Sequence, residues 1–208
     1  KLVNSKNHNA RAAGIRALQF WHDDVTNVTE LLSKTIDDEH PQVRLESVIA
    51  LRKIGTAEAA RLALSVLEYQ MDEFQDFALW QIIRELEPFI MERLKSDQKF
   101  LGSTEKTVFA LKSMSDPDAI AHLVRLYQRN EVPEQYQKDV LNSIAKWGQK
   151  DHMNILFDIA LQDYGVQEKG VAAKLDALVE VARQRSMKPS KNLDEIMVFL
   201  KSDDEEIV

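Results

Sequence analysis

The chain has 208 residues, 44% of them hydrophobic, and a formal net charge of −7. That is core material for one or two globular domains or a single repeat array, with a charge that disfavours long-range attraction to nucleic acid or an anionic membrane. It has no cysteine, six glycines and five prolines, which excludes disulfides, thiolate zinc sites, a cysteine nucleophile and thiol-attached haem within it, and leaves too few turn residues for an all-β fold.

No apolar run approaches the roughly 20 residues of a membrane span, so no insertion is expected. The chain starts at Lys1 with no signal-like segment, as a piece excised from a larger protein would.

In chain order, a polar start leads to a helix predicted over Asn9–Trp21, with Val28–Ile36 as its partner. Asp38–Gly55 follows and carries a full set of helix signals. Pro41 suits a first turn, Asp38 and Glu39 place negative charge at the positive end of the helix dipole, and Gly55 suits a left-handed end. Val43, Ser47, Ala50, Leu51 and Ile54 form its apolar face, with Arg52 on the outer side. The partner is Ala57–Tyr69, capped by Thr56, with Ala59, Leu62, Ala63, Val66 and Leu67 inward. A third helix runs over Asp72–Glu87, where Pro88 breaks it and opens a short partner, Phe89–Lys95. The fourth pair is Ser103/Thr104–Met114 and Pro117–Arg129, the latter capped by Asp116 and burying Ile120, Leu123, Val124 and Tyr127. The fifth is Pro133–Trp147 and Asp151–Gln162, turning at Gly148. The sixth is Val166–Arg185 and Leu193–Leu200, before an acidic tail over 202–208.

The face of Asp38–Gly55 repeats. Moved back 33 positions it falls on Ala10, Gly14, Ala17, Leu18 and Trp21; moved forward 32 it falls on Gln75, Leu79, Ile82, Ile83 and Leu86. Further steps of 28, 33 and 35 reach Ser103–Met114, Tyr136–Trp147 and Val171–Ala182. Six matches at this interval predict an all-α array: a right-handed α-solenoid of about six antiparallel helix pairs, HEAT-like or armadillo-like. It forms one domain over 1–208, with repeats near 9–36, 41–69, 72–96, 102–130, 133–162 and 166–201. First helices form the convex face and second helices the concave face. The 28-residue step is ascribed to the short partner after Pro88.

Pro41, Val43, Arg44, Ser47, Ala50 and Leu51 resemble the first helix of the HEAT repeat. The resemblance implies that Asp38 and Arg44 tie adjacent repeats together; HEAT and armadillo arrays stay unseparated. Joined to Tyr69–Pro88 (YQMDEFQDFALWQIIRELEP), the segment resembles the HEAT portion of large exported bacterial proteins that also carry a dehydrogenase-like propeller and a c-type haem domain. This implies an exported or periplasmic location. Neither a propeller pattern nor CxxCH occurs here, so redox activity is not assigned to these residues.

None of the five histidines His8, His22, His40, His122 and His152 has a recognised metal spacing. His122 is expected to face outward. Trp21 and Trp147 close their apolar faces and are read as core. Trp80 lies one place beyond Leu79; packing beside the short third pair is favoured over an exposed patch. Asp72, Glu73 and Asp76 are read as ordinary first-turn acids rather than a hydrolytic pair. Arg61, Arg93, Lys95, Arg125 and Arg129 fall on second helices, with a mixed solvated surface the favoured reading.

No convergent reactive set and no cofactor are expected. The favoured function is a monomeric, non-catalytic scaffold or protein-interaction module of a larger multidomain protein, binding neighbouring domains or an acidic partner segment, and not nucleic acid. The candidate binding residues are Trp80, Phe77, Phe89, Met91, Arg93, Lys95 and Arg125, placed on the concave side, with inward packing of the aromatics as the competing arrangement. The alternative function is an enzyme on the same fold, either a HEAT-like DNA glycosylase using Trp80 and Asp76 or a tetrapyrrole-lyase type.

Overall fold

A computed structural model describes residues 2–164 and 170–201. All its regular elements are helical: α1 His8–Trp21, α2 Val28–Thr35, α3 Pro41–Ile54, α4 Ala57–Ala63, α5 Glu73–Glu85, α6 Glu87–Ser96, α7 Thr104–Lys112, α8 Pro117–Gln128, α9 Glu134–Trp147, α10 Lys150–Asp163 and α11 Val171–Arg185. Four short 3-10 segments accompany them. There is no strand among the described residues. The expected stretch 166–169 and the acidic tail 202–208 lie outside the described residues.

The helices gather in two compact units, Lys1–Ser113 and Met114–Val208. The division falls between α7 and α8, the two helices that the repeat spacing makes one pair. In the first unit α1 lies along α3 and α3 along α5, while α2 and α4 pack on α3, and α6 packs on α4 and α5. In the second unit α8 packs on α9 and α10, and α11 on the same two helices.

Local chemistry sets the helix ends. Thr56 accepts the Ala59 N–H (3.1 Å) at the start of α4, and Asp116 accepts the Asp118 N–H (2.7 Å) at the start of α8. Gly55 ends α3 at φ 73°, a left-handed conformation glycine adopts without side-chain clash. Asp72 and Gln75 form a reciprocal capping box at the start of α5. Gln75 is fully buried and also donates to the Pro41 carbonyl (3.2 Å), fastening α5 to the start of α3.

The turn before α3 is the most densely bonded part of the first unit. Asp38 accepts two hydrogen bonds from Arg11 of α1, at 2.7 and 2.8 Å, and one from the His40 N–H at 2.9 Å. Both side chains of the Arg11–Asp38 pair are only 11% exposed. Arg44 is buried and donates to the Asp38 and Glu39 carbonyls (2.9 and 3.1 Å). Its guanidinium lies 4.5 Å from the centre of the Tyr69 ring, and its Nε has no hydrogen-bond partner. Asp38 therefore meets Arg11, the residue of α1 that stands 33 positions before Arg44, while Arg44 braces its own turn. Further along, buried Glu46 of α3 accepts from Arg16 and from Gln19 (2.8 Å) of α1. Arg52 donates to Glu85 (2.6 Å) and Gln81 (3.0 Å) of α5. Arg52 is thus a link between α3 and α5 rather than an idle outer residue.

Several packing expectations are corrected. The apolar template is buried through α3, α5 and α7 apart from half-buried Ile54 and exposed Ser103, but Trp21 and Trp147 are 62% and 39% exposed. Each closes its helix beyond the last buried residues, Leu18 and Ala145. The Ala57–Tyr69 helix ends at Ala63 and tightens to a 3-10 segment over Leu64–Glu68, so Leu64 is buried while Leu62 and Leu67 are half-buried. The helix after Pro88 has ten residues and is longer than α2 or α4. Leu86 alone joins α5 to α6, yet α5 and α7 start 31 residues apart (73 to 104), close to the 32 between α3 and α5 (41 to 73). The 28-residue step arises because the template begins at Gln75, the third residue of α5, but at Ser103, the N-cap of α7. In α11 the buried positions are Val171, Lys174, Ala177 and Val181, a face rotated from the template. Leu193–Lys201 is a 3-10 helix.

Burial alone would raise the Asp38 carboxyl, but the hydrogen bonds from Arg11 and His40 outweigh it, and the group titrates below the usual range. Its stabilising effect is therefore present above the unfolded carboxyl value, about pH 4, and disappears as pH falls through the folded value. Asp38→Asn should lower the urea midpoint at pH 7, and the gap from wild type should close in acid. Ala50→Asp, at a fully buried position, should cost about 3 kcal/mol or more by the same measurement.

Candidate functional site

On α5, residues at positions 75, 78, 79, 82 and 83 are buried. At 100° per residue the opposite face carries Glu73, Phe77, Trp80 and Arg84, with Asp76 at its edge. Two large aromatics therefore stand where solvent is expected. Phe77 is 57% exposed and Trp80 42%, with Phe74 close by at 65%. The Phe77 and Trp80 rings stack at 5.9 Å between centroids and 20° between planes. Arg84 sets its guanidinium 5.8 Å from the Trp80 ring centre and donates to the Ser113 carbonyl (3.3 Å). The exposed-patch arrangement, not inward packing, describes these rings.

The other candidate residues stand elsewhere. Phe89, 52% exposed, Arg93 and Lys95 occupy the solvent side of α6, whose buried side faces α4 and α5. Met91 is buried, at 7%. Two residues apart on a helix are about 200° apart around its axis, so Phe89 and Met91 cannot both face outward. Arg93 lies 5.1 Å from the Phe100 ring centre and adds its charge to that of Arg61 at Glu58. The hydrogen bond from Arg61 and these charges hold the Glu58 carboxyl below its ordinary value. The expected basic rim is thus already answered, in part, by an acid on α4. Arg125 is exposed on α8 in the second unit.

The histidines serve helix ends and packing. His40 accepts the Gln42 N–H (3.2 Å) and stacks on His8 at 3.7 Å, and His152 accepts the Gln149 N–H (3.0 Å). His122, expected to face outward, is half-buried; burial first, then Arg125 and Arg129, push it below its ordinary value. Among the described residues, no group of three or more histidine, aspartate or glutamate side chains is placed to hold a metal ion. No described helix is long and apolar enough to cross a membrane. Asp72 caps α5 by accepting the Gln75 N–H (2.8 Å).

The second unit contains a cavity of about 380 Å³ that sequence reasoning missed. Phe157 of α10, Leu175 and Val179 of α11, and Leu193, Ile196 and Phe199 of the 3-10 segment line it. The signal was present in the apolar Leu175–Ala182 face, which the repeat template assigned to a helix–helix interface. Comparison of the chain with family models, with curated proteins and with solved structures finds no match.

Phe77→Ala should change folding stability by no more than about 1 kcal/mol, and Trp80→Ala, where the ring is more covered, by about 1–2 kcal/mol. Leu79→Ala, between them in sequence but fully buried, should cost about 2–5 kcal/mol. Urea unfolding of the three variants measures the contrast.

Proposed function

We propose that this chain is a non-catalytic scaffold, a HEAT-like α-solenoid of stacked helix pairs that belongs to a larger protein and engages another protein through the outer face of α5. The observation that carries this reading is the stacked, exposed Phe77–Trp80 pair on a helix whose other side is firmly packed. Large aromatics cost solvation when left exposed and dominate the energetics of protein interfaces when covered. The near-constant helix interval and the side-by-side packing of α1, α3 and α5 support the repeat architecture. The Asp38–Gly55 and Tyr69–Pro88 residues support the exported multidomain setting by resemblance alone.

A DNA glycosylase fits these residues less well. Trp80 and Asp76 share the α5 surface with Glu73, and carboxylates beside the reading residue repel phosphate. The whole chain is also net negative.

A photo-crosslinking residue placed at position 77 or 80, with one at exposed Glu30 of α2 as reference, tests the scaffold reading in the native host. A discrete protein adduct at 77 and 80 that the reference position lacks is the expected result. Absence of any adduct from α5, with the variants folded, overturns it.

A further inference from the structure

The charge around the α5 rings differs from what the basic residues of α6 would lead one to expect. Glu73 precedes Phe77 by four residues and Asp76 precedes Trp80 by four, so each exposed ring has a carboxylate on the neighbouring turn of the same helix. Both acids are exposed, and among the described residues neither carboxylate side chain has a hydrogen bond or ion pair. A helix N-terminus stabilises acids in its first turn. That accounts for their presence but not for two stacked aromatics set beside them. The cation on the same face is committed, since Arg84 is bonded to the Ser113 carbonyl and lies against Trp80. The contact between Arg84 and Trp80 also displays, inside the chain, the type of group these rings accept.

We propose that the Glu73–Phe77–Trp80 strip of α5 docks a basic amphipathic segment of a partner protein, one that carries lysine or arginine beside apolar side chains. The inference rests on the scaffold reading and reverses the acidic partner expected from Arg93, Lys95 and Arg125. The apolar side chains of such a segment cover Phe74 and Phe77. Its cationic heads meet Glu73 and Asp76, and their alkyl stems lie along the rings. Charge complementarity of this kind speeds encounter and rejects partners of the wrong sign, so a lysine-based segment is selected over a glutamate-based one of equal apolarity.

Two synthetic amphipathic helices of matched leucine content, one built on lysine and the other on glutamate, are titrated against the full chain by calorimetry. The lysine peptide should bind at least about tenfold more tightly. Glu73→Lys with Asp76→Lys should remove that preference, whereas Asp194→Lys with Glu195→Lys, an equal charge change in the second unit, should leave it in place. Phe77→Ala with Trp80→Ala should weaken binding without changing the fold, as judged by circular dichroism. Equal binding of both peptides, or equal effects of the two charge reversals, overturns the proposal. Crosslinked adducts at positions 77 and 80 would still stand in that case, so the scaffold reading fails or survives separately.

Discussion

A carboxylate held by an arginine from α1 governs the assembly of the first unit. Asp38 closes the turn into α3 through its contact with the His40 N–H, and the same carboxylate receives the paired donors of Arg11 from α1. A planar guanidinium matched to a carboxylate fixes direction as well as distance. One residue thus fixes the entry of a helix and its alignment beside its neighbour. Arg44 satisfies the carbonyls of the same turn and stacks on Tyr69, which in turn bonds the Asp37 carbonyl at 3.3 Å. Burial of apolar faces supplies most of the driving force and sets roughly which side of each helix turns inward. The polar contacts fix how neighbouring helices align along their length.

That alignment gives α5 an outer face. Gln75 bonds the start of α3, while Arg52 bonds Gln81 and Glu85 further along. Contacts at both ends hold the rotation of α5, and the rotation leaves Phe77 and Trp80 in solvent. An amphipathic helix in a folded chain ordinarily presents polar residues there. The departure from that rule is local, on a helix otherwise well packed, and it sits among carboxylates whose charge is unanswered within the described chain. The packed side of α5 carries its stability, and the proposed recognition falls on the opposite side.

What the sequence makes legible is mostly local. Pro41, Gly55, Thr56 and Asp116 act through chemistry within a turn or two of themselves, and each stands where the pattern places it. The apolar faces of α3, α5 and α7 are equally readable because a 3.6-residue period needs no knowledge of the partner. Tertiary choices are less readable. Nothing in the residues around Leu86 states that two helices meet there without a loop, and the 28-residue step does not reveal that the apolar face begins at the N-cap of α7 rather than inside it. Trp21 and Trp147 fit the period but fall beyond the packing neighbour. Of the candidate site, Phe77, Trp80 and Phe89 are exposed, but on two helices; Met91 fails by helical geometry alone, and the sequence marks the acids of α5 only as first-turn residues. The link made by Asp38 requires the fold, because the sequence does not place its partner Arg11 beside it.

The dependence of this arrangement on the Arg11–Asp38 contact is measured most directly by a double-mutant cycle. Arg11→Met, Asp38→Asn and the double variant are compared with wild type by urea unfolding at neutral pH. If the contact aligns α1 with α3, either single change already removes it, and the double variant loses clearly less stability than the two singles added together. Strict additivity of the two losses would show that the residues act independently, and would contradict the account.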